Sequence, residues 1–325
     1  MAKRLLIFLI LLGTAFPLCA LAPPGPEPAA TASVRLGFPG AARPGPHAIR
    51  VPFVLAGRLI VVQAAVEGIE GNFIVDTGSG RLILNASHFD GGFPRRSMAS
   101  VGTTGTVDGV GVRSTAGFSW DSIAFEKIQA HIIDLSHIET KKNIRVLGLI
   151  GYDVLKDFEI LIDFQLQQIT LVRLDGAGER LDSLAILEEP EDSLGFRLTG
   201  HVITLNGWVE NTPVKFGLDS GAELNLLHSR VKRRVFDHFE ISRRTNLNGV
   251  GARDVEVLAG KLYRFRCNDR IRCSGMRTLL TNLDDINAAY GTRLDGLVGY
   301  EFLCMRRTII NYKKEKLYFL KWYRP

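Results

Sequence analysis

From about residue 49 onward, short apolar runs alternate with breaks rich in glycine, threonine and asparagine, a pattern of many short strands rather than of amphipathic helices. Residues 51–54 and 59–66 read as strands separated by a turn at Ala56-Gly57, and 73–75 as a buried strand running into Asp76. Strand character resumes at 82–84 and returns at 118–120, 123–125 and 128–133. The run Val146-Leu147-Gly148-Leu149-Ile150-Gly151-Tyr152-Asp153-Val154-Leu155 predicts a glycine-punctuated strand passing into a short helix, and strands at 160–164 and 169–172 close the half.

The same order of events then recurs. Strands at 202–209 lead to Phe216-Gly217-Leu218-Asp219-Ser220-Gly221-Ala222-Glu223, which answers to Phe73-Ile74-Val75-Asp76-Thr77-Gly78-Ser79-Gly80 in the first half. Leu294-Asp295-Gly296-Leu297-Val298-Gly299-Tyr300-Glu301-Phe302-Leu303 matches the earlier glycine-punctuated run, and 309–312 with 317–320 close the second half. Gly151 lies 75 positions after Asp76 and Gly299 lies 80 after Asp219, so two motifs recur together and in register. Between them, each half holds a glycine-containing hairpin. Gly105 and the turn-forming Asp108-Gly109 mark the first, and Asn248-Gly249 marks the turn of the second.

These patterns divide the chain. Lys3 and Arg4 before an apolar run predict a signal peptide or N-terminal anchor over 1–22. Residues 23–48, rich in Pro, Ala and Gly, read as a flexible tether. Two mainly β lobes follow at 49–175 and 193–325, joined by a linker at 176–192 that mixes Gly, Pro and charge.

Composition changes this picture little. Forty basic against 34 acidic residues favour anionic partners mildly, but no zinc-finger spacing, aromatic RNA-binding motif or basic zipper accompanies the basic clusters, so no nucleic-acid partner is expected. Of the four cysteines, Cys267 and Cys273 are spaced to close a small loop in a hairpin, and none has a histidine at metal-ligand spacing, so no metal is expected. His88, His131, His137, His201, His228 and His238 stand at no defensible distance from a nucleophile and read as structural. Asn85-Ala86-Ser87 is a glycosylation sequon.

The chemistry resides in the repeat. Two lobes of one fold related by an approximate two-fold axis would bring Asp76 and Asp219 face to face. Carboxylates that close cannot both ionise cheaply, so they share one proton and titrate in two separated steps. One then takes a proton from water while the other gives one to a carbonyl oxygen, which suits peptide hydrolysis without a covalent intermediate. Thr77 and Ser220 offer hydroxyls to brace the turns, and Gly78 and Gly221 let backbone N–H groups approach the carboxylates.

The residues 73–79 with Leu149-Ile150-Gly151-Tyr152, and 217–222 with Leu297-Val298-Gly299-Tyr300, resemble the retropepsin-like aspartic proteases in a bacterial single-chain, two-lobed form. The resemblance covers about 51–319. It implies two similar β-barrel lobes in pseudo-two-fold relation, a cleft between them, a short helix after each apolar-glycine strand, Asp76 and Asp219 as the catalytic pair, and the glycine-rich hairpins as flaps. The chain departs from exact symmetry at Gly80 against Glu223 and at Asp163 against Asn311, and it shows no long basic prosegment.

The expectation is an exported aspartic endopeptidase, periplasmic, envelope-associated or secreted, with a polypeptide substrate and no cofactor. Its site would be complete within one chain, so no dimer is required. Two other readings fit the fold: a catalytically inert peptide-binding module, and an envelope component whose basic faces touch anionic lipid or wall polymer. Retention of both aspartates, both hydroxyls and both glycines favours catalysis.

Overall fold

The computed structural model describes residues 5–7, 10–12, 33–40, 42–89, 98–102, 105–249 and 255–322. Its backbone is arranged in three sheets, two of eleven strands and one of seven. The two larger sheets are built alike. In the first, Leu82–Asn85 and Ile69–Val75 flank Gly148–Ile150, which runs parallel to Ile69–Val75 and antiparallel to Leu82–Asn85. In the second, Asn225–His228 and Thr212–Leu218 flank Gly296–Val298 with the same directions. Each glycine-punctuated strand is followed by a one-turn helix, Tyr152–Leu155 and Tyr300–Leu303. The mainly β, two-lobed architecture therefore follows the repeat in the sequence.

The glycines of that strand are required by proximity. A Cβ at Gly148 would lie 2.0 Å from the Ile83 carbonyl oxygen, and one at Gly299 would lie 2.1 Å from the Ala222 carbonyl oxygen. Only residues without a side chain allow the strand to cross this close behind the acidic loops.

The seven-stranded sheet joins the lobes. Phe158–Asp163 of the first pairs antiparallel with Arg307–Asn311 of the second, with Leu161 opposite Ile309. Each hairpin partner extends the sheet, Gln168–Arg173 on one side and Lys316–Leu320 on the other. The outer positions are equivalent too, Ala48–Pro52 on one side and Asp192–Gly195 on the other. Within the stretch read as a tether, Ala42–Gly45 adds a further strand to Ala48–Pro52, and the Val34 N–H reaches the Asn143 carbonyl at 2.8 Å. One core cluster spans both lobes and this sheet, including Val75, Ile150, Ile162, Val298, Phe302 and Ile310.

The two hairpins expected to serve as flaps differ from the sequence expectation in where Asp108-Gly109 and Asn248-Gly249 fall. The first comprises Met98–Gly102 and Gly105–Thr115, with Gly102 facing Gly105, and the connection at 103–104 lies outside the described residues. Asp108-Gly109 instead lies within the returning strand, where the register shifts between Val107 and Val110. An Asp-Gly pair suits a bulge as well as a turn. In the second hairpin, Phe239–Gly249 and Val255–Leu262, the last directly paired residues are Leu247 and Val255. Asn248 and Gly249 are strand rather than turn, and the connection at 250–254 lies outside the described residues.

Cys267 and Cys273 do occupy one hairpin, but as free, buried thiols: Cys273 faces Phe265, and the Cys267 N–H bonds to the Ile271 carbonyl at 2.9 Å. Burial pushes the Cys273 thiol up to about 12 and raises that of Cys267 as well.

Candidate active site

Asp76 and Asp219 each leave the end of a buried strand, and each backbone is tied to the glycine-punctuated strand beside it. The Asp76 N–H donates to Ile150 O at 3.0 Å and the Asp219 N–H to Val298 O at 2.9 Å. Behind each loop the next tyrosine repeats the tie, Tyr152 N–H to Ser79 O at 2.8 Å and Tyr300 N–H to Ala222 O at 2.9 Å. The two loops are thus held by equivalent backbone bonds from equivalent elements.

The loops then brace each other across the lobe junction. The Thr77 N–H donates to Ser220 Oγ at 3.0 Å, and the Ser220 N–H donates to Thr77 Oγ1 at 2.9 Å. Ser220 Oγ in turn donates to Val75 O at 2.8 Å. All of these residues are buried, so each bond is made without competing solvent.

This bracing sets the two carboxylates together. A Cβ at Gly221 would sit 2.9 Å from Asp76 Oδ1 and 3.2 Å from Asp219 Oδ1, so glycine at that position is what lets the pair approach. Both side chains are fully buried. Asp76 Oδ1 accepts the N–H groups of Gly78 at 2.9 Å and Ser79 at 3.1 Å, while Asp219 Oδ1 accepts that of Gly221 at 2.8 Å. Neither Oδ2 has a hydrogen-bond donor among the described residues. Two ionised acceptors cannot satisfy each other, whereas one shared proton makes one oxygen the donor the other lacks.

Electrostatics agree with that proton. Burial raises Asp76 from 3.8 to about 6, against the lowering pull of its bond with Asp219 and of the Gly78 and Ser79 N–H groups. Asp219 is raised well above its ordinary value, first by burial and then by the charge on Asp76. Asp219 is raised the further of the two, so Asp76 is the one better able to carry the negative charge. Asp219 is the one that keeps the proton.

Around this core the two sides of the junction are not alike. Arg58 lies 18 positions ahead of Asp76, and His201 lies 18 ahead of Asp219. Arg58 crosses to the second lobe: its N–H donates to Glu223 Oε1 at 3.0 Å and its Nη1 donates to Glu301 Oε1 at 3.0 Å, with the guanidinium 5.5 Å from the Tyr300 ring centre. Lys142 Nζ joins it on Glu223 Oε1 at 2.6 Å. His201 crosses the other way, with Nε2 at 3.2 Å from Gly78 O and its ring against Tyr152 and Tyr290. Burial lowers this imidazole to about 4, so it is neutral and donates through Nε2. A Cβ at Gly80 would come within 2.8 Å of it.

The structure therefore brings together Asp76, Thr77, Gly78, Asp219, Ser220 and Gly221, and sets the residues Gly105, Asp108, Gly109, Asn248 and Gly249 apart from them, on the two hairpins. Sequence reasoning passed over Arg58 and Lys142, and it read His201 as structural without placing it at the lobe junction. The signal for two of them was present: Gly57-Arg58 and Gly200-His201 repeat at one spacing from the two aspartates, and both glycines have positive φ, 67° and 65°. His228 is structural as read, its Nδ1 accepting the Leu283 N–H at 3.1 Å where Asn85 Oδ1 accepts that of Leu135 at 2.9 Å.

No family model and no curated protein matches the chain. Among solved structures it is similar to a retropepsin-like aspartic protease from Rickettsia conorii, at 14% identity and TM-score 0.30 over 42% of this chain and 96% of that one. It is also similar to an aspartic proteinase from Irpex lacteus, at 12% identity and TM-score 0.47 over 84% of this chain and 97% of the other.

Proposed function

We propose that the chain is an exported aspartic endopeptidase in which Asp76 and Asp219 share one proton and hydrolyse peptide bonds through an activated water. The observation that carries this reading is the pair itself: two fully buried carboxylates, held by reciprocal hydroxyl bonds, each with an Oδ2 that has no donor among the described residues.

Asp76, the better stabilised anion, takes a proton from the water as the water oxygen attacks the substrate carbonyl carbon. Asp219 gives its proton to the carbonyl oxygen, which yields a neutral tetrahedral diol and exchanges the protonation states of the two aspartates. Asp76 then passes its proton to the amide nitrogen, the C–N bond breaks, and Asp219 recovers a proton from the diol hydroxyl as the carboxyl product forms. Proton count is conserved over the cycle, and no covalent enzyme intermediate arises.

A binding module would gain nothing from burying two acids against each other, since that arrangement costs stability at neutral pH and adds no contact to a ligand. Export rests on Lys3, Arg4 and the apolar run that follows them. Among the described residues no helix is long and apolar enough to cross a membrane.

A peptide library offered to the parent and to Asp76→Asn and Asp219→Asn tests the mechanism. The parent is expected to cleave, with each variant at least about a thousandfold slower, a loss of roughly 4 kcal/mol in transition-state stabilisation. Cleavage by either variant at the parental rate overturns the shared-proton mechanism, and a folded parent that binds peptides without cutting any of them establishes the inert module.

A further inference from the structure

Side chains along the seven-stranded sheet alternate between its two faces. Ile160, Ile162 and Ile310 belong to the core that both lobes share, which also holds Val75 and Leu218, the residues directly ahead of the two aspartates. Leu161 and Ile309 belong to a separate cluster on the other face, and the linker closes that cluster with Ala185 and Ile186. The linker therefore lies across the sheet from the aspartate pair.

Its outward side is unlike an ordinary surface. Leu181, Leu184 and Leu187 are 46%, 72% and 75% exposed, three large apolar side chains within seven residues. Single exposed leucines are normal, whereas a close set of them marks a contact surface. The fold does not call for them, since the sheet takes Ala185 and Ile186 and a polar residue at 184 or 187 would leave those two contacts unchanged. The stretch is also held in shape. Arg50 Nη2 donates to Ala185 O at 3.2 Å, and Arg180 Nη1 donates to Ile186 O at 2.8 Å. Asp182 Oδ1 accepts the Leu184 N–H at 3.2 Å, at the start of the one-turn 3-10 helix Ser183–Ala185. Leucines on a pinned backbone have less freedom left to lose when a partner covers them.

Charge narrows the partner. Residues 176–192 hold six acidic residues and one basic, a net charge of −5 in a chain of +6. Glu188 and Glu191 meet Arg307 and Lys321, whereas Glu189 is exposed and has no ion-pair partner among the described residues. An anionic lipid surface is repelled by such a stretch. A second copy packed leucine to leucine would set two acidic stretches together, and three leucines fall well short of the roughly 800 Å² that each partner of a stable dimer buries. An apolar segment with cationic flanks meets both the leucines and the acids.

We propose that residues 181–189 form a docking site for a short cationic, apolar segment of a partner protein, on the face of the central sheet opposite the aspartate pair. The leucines supply the apolar contact, and Glu189 with the acids around it supplies orientation and speed of encounter. The cleft between the lobes stays open while the site is filled. The site stands whether or not the chain cleaves peptides.

The test is a titration followed by the anisotropy of a fluorescein-labelled synthetic peptide of alternating leucine and lysine, with a leucine–glutamate counterpart as control. The titrated protein is the full chain carrying Asp76→Asn, so that the probe stays whole. Leu184→Ser/Leu187→Ser and, separately, Glu189→Lys are added to it. All three positions are exposed, and matched denaturant midpoints check that the fold is intact.

The lysine peptide is expected to bind at least about tenfold more tightly than the glutamate peptide. It is expected to lose at least about tenfold in affinity with the serine pair and about threefold with Glu189→Lys. Affinity unchanged by the serine pair places the peptide elsewhere, the cleft included, and overturns the site, as does equal binding of the two peptides. Sedimentation velocity and pelleting with phosphatidylglycerol vesicles cover the other occupants. A dimer, or adhesion to the vesicles, that the serine pair abolishes assigns the face to a second copy or to lipid and overturns the proposal too.

Discussion

Asp76 and Asp219 are both raised by burial, Asp219 further because it also feels the charge on Asp76. That burial also fixes how the pair bears on stability. A carboxylate whose folded value is raised contributes stability that is fully present below its unfolded value and lost as pH rises through the folded one. For Asp76 that window runs from 3.8 to about 6, which corresponds to on the order of 3 kcal/mol. Asp76→Asn is therefore expected to be more stable than the parent at pH 7 by about that amount, with the difference shrinking as pH falls below about 6 and absent below 3.8. Denaturant melts of both proteins between pH 3 and pH 8 check it, and a parent that gains on the variant as pH rises contradicts it. His201 and His131, both lowered to about 4 by burial, slope the other way: their contribution is complete above 6.5 and lost as pH falls through about 4.

Among the elements, the paired central strands carry the least tolerant contacts. Arg307 is 1% exposed, and its Nε donates to Asp163 Oδ2 at 2.7 Å while its Nη groups reach Glu188 of the linker at 2.5 and 2.8 Å. Arg307→Met leaves Asp163 buried with its main counter-charge gone, and a loss of about 3–5 kcal/mol is expected in equilibrium unfolding. A loss below about 1 kcal/mol would show that Asp163 is held by its Gln165 and Leu166 N–H bonds alone. Much of this level was legible beforehand. Strand order, the glycine-punctuated strands and the two short helices follow from apolar runs and glycine placement, because burial on a pleated sheet leaves a direct imprint on residue type. Asp108-Gly109 and Asn248-Gly249 misled, because local turn chemistry also serves bulges and strand ends, and long-range pairing chooses between them. The places of Arg58 and His201 at the lobe junction were not legible, because each acts on a residue more than a hundred positions away.

At the scale of the whole molecule, the lobes are joined by two unlike clasps around a nearly symmetric centre. One is ionic, with Lys142 on Glu223 and Arg58 on Glu301; the other is a neutral imidazole among tyrosines. Glu223→Gln takes from Lys142, only 12% exposed, the charge it is paired with, and a loss of about 3 kcal/mol is expected. Because Glu223 follows Asp219 by four positions, peptide turnover is expected to fall as well, while His201→Gln, which keeps a donor for Gly78 O, is expected to lose less on both counts. Unfolding curves and turnover of the two variants side by side check the ranking, and equal losses would mean that the clasps bear equal load.

The strand pairing in the central sheet also bears on synthesis. Phe158–Asp163 leaves the ribosome well before Arg307–Asn311, and until then the first lobe has an open apolar edge. Neighbouring nascent chains on one messenger present that same edge to each other. Self-pairing in the native register would set Glu159 of one chain against Asp163 of the next, two acids facing each other on both sides of the axis. In the finished chain Arg307 meets Asp163, and Asn311 Nδ2 donates to Glu159 Oε2 at 2.8 Å. Charge at two positions thus discourages union between siblings and reserves the edge for the half of the chain still to be translated.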